Sequence, residues 1–106
     1  MHYVYILYSP NLNRFYIGET HDLDQRLLWH RSQFFLHAYT KIASDWELFL
    51  AFKVADISTA RKMEAFIKAK KSAKFIRDLK SSPFKKSKLL HRFGMILGVI
   101  LNIKKH

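Results

Sequence analysis

Two tyrosines near the start of the chain stand in short aromatic segments whose hydroxyls could take part in proton transfer. Residues 3–5 read Tyr-Val-Tyr, residues 16–18 read Tyr-Ile-Gly, and ten residues separate Tyr5 from Tyr16. Turn-forming residues lie between the segments, so the pattern predicts a β-hairpin that could bring the two hydroxyls close together. Gly18 is expected to end the second strand, where the backbone turns sharply or another group approaches closely.

A cation and an imidazole follow on a segment that the pattern predicts to be helical. Asp22 is a favourable N-cap for a helix over about residues 23–31. At the helical period, Arg26 and His30 share one side with two leucines, Leu23 and Leu27. A charge on an apolar stripe must be satisfied or used, and the alternative is that Arg26 reaches solvent from the edge of that face.

A lone carboxylate stands in a second helical pattern. Asp56 or Ser58 can cap a helix over about residues 59–71. Its apolar stripe consists of Ala60, Met63 and Ile67. Glu64 projects from the middle of this stripe, where a carboxylate is expected to pair with a cation or a metal ion. Lys68, four residues further on, offers an ordinary ion pair at a favourable spacing.

The chain resembles the GIY-YIG nuclease family, which is named for two such triplets. The second triplet, residues 16–18, matches letter for letter. The first triplet keeps its closing tyrosine as Tyr5, whereas its opening glycine is tyrosine and its middle isoleucine is valine. The resemblance covers roughly residues 1–80, and it becomes specific because an arginine and a glutamate also fall where the family expects them.

The resemblance implies a role for each of these side chains. Glu64 would be the sole protein ligand of one divalent ion, Mg²⁺ or Mn²⁺, and Arg26 would bind the scissile phosphate. Tyr5, helped by Tyr16 or by His30, would take a proton from the attacking water. An unperturbed phenol is a poor base at neutral pH, so we expect the nearby cations to lower the pKa of Tyr5.

The charge of the chain indicates a partner made of phosphates. Nineteen Lys and Arg against eight Asp and Glu give a formal charge of +11. Such an excess fits a nucleic acid, DNA or else RNA, although a solvated basic face would have the same composition. The charge does not bear on cleavage. The candidate nucleic-acid-binding residues around the site are Gly18, Lys41, Lys68, Lys71 and Lys74.

The order of the elements predicts an α+β domain with a small three-stranded antiparallel sheet flanked by helices. Residues 46–54 read as a third, central strand, and residues 73–80 as a short helix that stops before Pro83. Residues 32–45 form a loop polar enough to line a cleft. We therefore expect a nuclease-like domain over residues 1–82 and a basic and apolar extension over residues 83–106.

The apolar run in the extension and the absence of cysteine bear on the cellular compartment of the protein. The apolar run over residues 93–101 is too short for a membrane span, which needs about 20 apolar residues. It could be a packing helix, a strand or a surface for self-association. The chain has no cysteine, which excludes disulfides and zinc–thiolate sites, and Met1 leads straight into a strand without room for a signal peptide. We expect a cytoplasmic protein.

Three functions remain open. The first is a metal-dependent endonuclease that hydrolyses DNA with little sequence specificity, which would suit structure-selective cutting in repair or recombination. The second is a non-catalytic nucleic-acid-binding module with the nuclease fold, and the third is a basic scaffold whose C-terminal segment recruits a partner. Tyr5, Tyr16, Arg26 and Glu64 together favour the endonuclease, because a binding module needs no core-face carboxylate that repels phosphate.

Overall fold

The computed structural model describes residues 1–32, 45–94 and 99–101. Within these residues the chain forms, in order, β1 (His2–Ser9), β2 (Arg14–Thr20), α1 (Leu23–Ser32), β3 (Glu47–Val54), α2 (Ile57–Lys70), α3 (Ala73–Ser81), α4 (Pro83–Arg92) and β4 (Val99–Leu101). Asp56, and not Ser58, caps α2, and its carboxylate accepts a hydrogen bond from the Thr59 backbone N–H at 2.8 Å. The loop expected to line a cleft lies, over residues 33–44, outside the described residues, and Lys41 lies there with it.

The strands form one antiparallel sheet in the order β2-β1-β3-β4. The first three strands confirm the expected α+β architecture. A short fourth strand pairs with the edge of β3, opposite Ala51–Lys53. Part of the apolar run over residues 93–101 is therefore a strand, whereas residues 95–98 lie outside the described part of the chain. Self-association through this run stays a prediction.

Helices cover both faces of the sheet. On one face, β-strand residues such as Val4, Ile6 and Phe52 form a buried cluster with the expected stripe of α2 and with apolar residues of α3 and α4. On the other face, Tyr5 and Leu7 pack with the leucines of α1 and with Trp46. The alternation along β1 follows from the opposite directions of successive side chains in a strand. Burial of each large apolar side chain contributes about 1.5–3 kcal/mol, which holds the helices on the sheet.

The helix α4 is an element that the sequence analysis missed. Pro83 was expected to stop the preceding helix, but it also stands in the first turn of the next one. A proline fits there because the first N–H groups of a helix have no partner within it. The Ser82 hydroxyl caps this helix by accepting a hydrogen bond from the Lys85 backbone N–H. Leu89 and Leu90 of α4 are buried in the same cluster as β1, so the start of the extension packs on the core.

In the described part of the chain, no helix is long and apolar enough to cross a membrane.

Gly18 lies inside β2 and does not end it, which corrects the expectation from the sequence. It stands directly opposite Tyr5 in the β1–β2 register, and the strand continues to Thr20. A Cβ atom at Gly18 would lie 2.5 Å from the Tyr5 hydroxyl oxygen and 2.7 Å from Cζ. The glycine is therefore required by the close approach of the Tyr5 ring, the second of the two reasons that the sequence offers for a glycine here.

We predict that Gly18→Ala displaces the Tyr5 ring and lowers the free energy of unfolding by about 1–3 kcal/mol, as overpacking typically does. Denaturant unfolding measures the loss, and a double-mutant cycle with Tyr5→Leu isolates its cause. Since the smaller side chain vacates the space over Gly18, the alanine should cost much less in the Tyr5→Leu background. Equal costs in the two backgrounds would contradict the assigned contact.

Candidate active site

The hydroxyl of Tyr5 lies at the centre of the candidate site. The Tyr5 side chain is fully buried, and its oxygen is 3.0 Å from Nε2 of His30, which α1 brings in from the same face of the sheet. His30 is itself 3% exposed. The contact joins two groups that are 25 residues apart in sequence, and it ties the central strand to the first helix. The sequence analysis named both residues, and the structure brings them together.

Tyr16 completes a cluster of three rings. Tyr16 pairs with Leu7, so it lies on the same face of the sheet as Tyr5, diagonally across the hairpin. The centroid of the Tyr16 ring is 6.3 Å from that of Tyr5 and 5.1 Å from that of His30. Trp46 packs edge-on against Tyr16 at 6.4 Å. The two tyrosine rings are therefore neighbours, and the close approach of their hydroxyls stays a prediction.

Arg26 points into this cluster. The arginine lies on the side of α1 that also carries Leu23, Leu27 and His30, and it is partly buried there. It lies close enough to the tyrosines that its charge acts to lower the pKa of both Tyr5 and Tyr16. Arg26 therefore acts on the tyrosines while it remains partly exposed to solvent, and its role in binding the scissile phosphate stays a prediction.

The net shift of the Tyr5 pKa is the reverse of the one expected from the sequence. Burial raises the pKa of Tyr5 well above the ordinary value of 10.0, and the neighbouring Tyr16 adds to the increase. Arg26 acts in the expected direction but is outweighed. Burial likewise raises the pKa of Tyr16. Tyr5 is therefore a protonated phenol at neutral pH, so its O–H can donate to Nε2 of His30.

Glu64, on α2, lies within electrostatic range of both tyrosines. Its carboxylate is 19% exposed, and it contributes to the raised pKa of both Tyr5 and Tyr16. Its Oε2 atom is also 2.6 Å from Nζ of Lys68. The ordinary ion pair considered from the sequence is thus formed. A metal role for Glu64 stays a prediction beside it, because Lys68 is 52% exposed and can move away at little cost.

The donor set suits one kind of metal ion. Among the described residues, no group of three or more His, Cys, Asp or Glu side chains is placed to hold a metal. A single, partly exposed carboxylate such as Glu64 fits a hard divalent cation whose other ligands are water and phosphate oxygens. It does not fit a tightly held zinc site. The residues are therefore compatible with Mg²⁺ or Mn²⁺ bound together with substrate.

Basic residues adjoin the site along α2. A cavity of about 290 Å³ lies where β2, α2 and α3 meet, and Arg14, Lys68 and Lys71 contribute to its lining. Lys74 is 81% exposed and forms an ion pair with Asp78 at 2.9 Å, so part of its charge is compensated. Arg14 is not among the residues predicted from the sequence, because its place at the start of β2 gives no signal without the position of α2. Gly18 is buried beneath Tyr5, and a nucleic-acid role for any of these residues stays a prediction.

Comparison with protein-family models matches residues 1–77 to the family described as "GIY-YIG catalytic domain". The matched range runs from β1 into α3 and contains all five side chains of the candidate site. Neither the curated proteins nor the solved structures gave a match to the chain.

We predict that the raised pKa of Tyr5 makes the folded protein sensitive to alkali. The unfolded chain loses the phenol proton near pH 10 while the folded chain retains it, so stability falls as the pH rises above about 10. Tyr5→Phe has no such proton and should cost about 1–3 kcal/mol at neutral pH, because His30 loses a buried partner. Chemical denaturation gives the free energy of unfolding of each protein, and the advantage of the wild type over Tyr5→Phe should become smaller toward about pH 11. An advantage that stays constant with pH would contradict the raised pKa of Tyr5.

Proposed function

The chain belongs to the GIY-YIG family, whose domain has a nuclease-type fold and implies a nucleic-acid substrate, and on this premise we propose that it is an endonuclease. The proposed reaction is hydrolysis of DNA phosphodiester bonds with one Mg²⁺ or Mn²⁺ ion; GIY-YIG nucleases typically use divalent metals. The observation that carries the proposal is the buried cluster in which the Tyr5 hydroxyl lies 3.0 Å from His30 Nε2 and the Tyr16 ring packs beside it. The charges of Arg26 and Glu64 both act on the Tyr5 phenol.

In the proposed mechanism the chain supplies proton transfer and charge neutralisation. His30 accepts the Tyr5 proton through their 3.0 Å hydrogen bond, so that the phenolate oxygen can take a proton from the attacking water. Tyr16 packs against both rings and helps to exclude solvent from them. Arg26 donates to the non-bridging oxygens of the phosphate as their negative charge grows.

Glu64 would hold the divalent ion beside this group. When bound, the ion would polarise the phosphate, stabilise the leaving oxygen and offset the carboxylate charge that raises the Tyr5 pKa. The pKa of Tyr5 would then be high in the protein alone and lower in the complex with substrate and ion. Such coupling would keep the site inactive until both are bound.

The second candidate is a nucleic-acid-binding module that does not cleave. Two observations favour it: Lys68 already pairs with Glu64, and the net shift of the Tyr5 pKa disfavours the base form. We nevertheless favour the endonuclease, because a partly buried carboxylate beside two tyrosines weakens phosphate binding and brings no benefit to a module that only binds. Weak sequence preference, a role in DNA repair or recombination, and a cytoplasmic location stay predictions of this proposal.

Glu64→Gln should abolish Mg²⁺-dependent cleavage of plasmid DNA while leaving DNA affinity unchanged or stronger, since it removes a negative charge from a phosphate site. Arg26→Ala should reduce both, with a loss in rate on the order of 10²–10³. Cleavage is followed by gel electrophoresis with an EDTA control, and affinity is measured in EDTA.

Glu47→Gln is the matched control, because Glu47 is an exposed carboxylate on β3. Lys68→Met separates the two roles of Glu64. If the ion pair is the whole role of Glu64, Lys68→Met and Glu64→Gln should have equal and small effects, on the order of 0.5 kcal/mol in stability. Cleavage that survives Glu64→Gln would contradict the metal role of Glu64, whereas the absence of Mg²⁺-dependent cleavage by the wild-type protein would leave the binding module as the better assignment.

DNA binding should depend steeply on salt. In the described part of the chain no group of side chains is placed to hold a zinc ion, and we expect binding energy to come mainly from contacts of Lys and Arg with phosphates. Five neutralised phosphates would give a log–log slope of about −4 to −5 on duplex DNA. Titrations between low and physiological salt test this, and an affinity insensitive to salt would point to base recognition instead.

A further inference from the structure

A second groove lies on the part of α2 that faces away from Glu64. It has a volume of about 560 Å³ and lies between α2, α3 and α4. Phe66 of α2 lines it and follows Glu64 by two residues, which places the two side chains about 160° apart around the helix axis. The lining from Phe84 onward lies beyond the residues that match the family. The nuclease assignment therefore does not account for this groove.

Aromatic rings and cations alternate within the groove. Phe66 packs edge-on against Phe75 with their centroids 6.4 Å apart. Lys70 Nζ lies 4.7 Å from the centroid of the Phe66 ring, and the Arg92 guanidinium lies 4.3 Å from it. These cation–π contacts hold two positive charges at the wall of the groove. Both charges also lie close to the space that a ligand in the groove would occupy.

Phe84 provides an aromatic face open to solvent. Its side chain is 72% exposed at the start of α4, although the groove beside it contains other apolar residues. Lys88 and Lys85 also line the groove, and Lys85 shares its charge with Asp78 at 2.9 Å. None of the described side chains that line the groove is acidic. The groove thus combines an exposed ring with an uncompensated excess of positive charge.

A ligand that matches this surface must carry both flat apolar faces and a chain of negative charges. Unpaired bases expose such faces, and successive bases stack on aromatic side chains while the backbone follows the cations. Duplex DNA keeps its base faces inside the stack and cannot present them. The volume lies within the range of about 300–1,000 Å³ typical of ligand pockets, which leaves room for a base. We propose that this groove binds single-stranded DNA by stacking a base on Phe84.

The groove would add a function to the proposed nuclease site without sharing its residues. Phosphates bound by Lys70, Lys88 and Arg92 would anchor an unpaired strand on the opposite side of α2 from Glu64. Substrates that combine a duplex with a single-stranded arm would then contact both surfaces at once. Binding at two linked sites raises the overall affinity beyond that of either one.

Fluorescence anisotropy with a labelled oligo(dT) of about 10 nucleotides tests the groove, in EDTA so that no cleavage occurs. Phe84→Leu keeps an apolar side chain but removes the ring, and it should weaken binding by about 5-fold to 100-fold. Phe84→Tyr keeps the ring and should retain the affinity. Lys88→Gln should reduce the magnitude of the salt slope by about 0.7, whereas Lys62→Gln, also on an exposed helical site, should not.

The proposal is overturned if Phe84→Leu binds oligo(dT) as tightly as wild type, which would mean that charge or apolar insertion suffices. Tighter binding of oligo(rU), or equal competition by polyglutamate, would overturn the assignment of the ligand. Nuclease activity is measured separately as the rate of cleavage of duplex plasmid, and Phe84→Leu should leave this rate unchanged. Absence of any cleavage with Phe84-dependent binding would refute the nuclease alone, and cleavage with Phe84-independent binding would refute the groove alone.

Discussion

The packing of the Tyr5 ring across Gly18 is the constraint on which the candidate site depends. The ring fills the space that a side chain at Gly18 would need, and its hydroxyl then reaches Nε2 of His30. One contact requires the β1–β2 register, because Gly18 must stand opposite Tyr5. The other requires α1 to pack on that face with His30 turned inward. A shift of the β1–β2 register by one residue would turn Tyr5 to the opposite face of the sheet and break both contacts.

The electrostatic balance of the site follows from this packing. Burial raises the pKa of Tyr5, Arg26 opposes the increase, and Glu64 adds to it. The phenolate of Tyr5 would therefore be a strong base, but in the protein alone the phenol stays protonated. Positive charge arriving near Glu64 would shift the balance toward the phenolate, whereas phosphate without a cation would not. The ion pair of Glu64 with Lys68 also belongs to the protein without substrate. The exposed lysine compensates the carboxylate charge until a divalent cation replaces it.

Much of this arrangement could be predicted from the sequence, and the exceptions have physical reasons. Strand alternation placed Tyr5 on the other face of the sheet from Val4 and Ile6, and the structure confirms this placement. Helical periodicity placed Arg26 and His30 on one face of α1, and His30 indeed contacts Tyr5. The proximity of Glu64 to the tyrosines came only from the family resemblance, because periodicity within one helix does not say which strand lies beside it.

Other features depend on three-dimensional packing that no local pattern contains. The direction of the Tyr5 pKa shift depends on how completely the ring is buried, whereas the sequence indicates only the nearby charges. The role of Gly18 depends on the residue across the hairpin. The helix α4 was missed because Pro83 was interpreted only as an end of one helix, although Ser82 and Pro83 form a favourable start for another.

The central claim is that Tyr5 and Glu64 act in one reaction, and a kinetic double-mutant cycle tests it most directly. Single-turnover cleavage of a duplex oligonucleotide in Mn²⁺ would be measured for Tyr5→Phe, Glu64→Gln and the double variant. Residues that act as a unit have strongly non-additive effects, so the double variant should be no slower than the slower single variant. Additive losses, or a single variant that cleaves at the wild-type rate, would contradict the account.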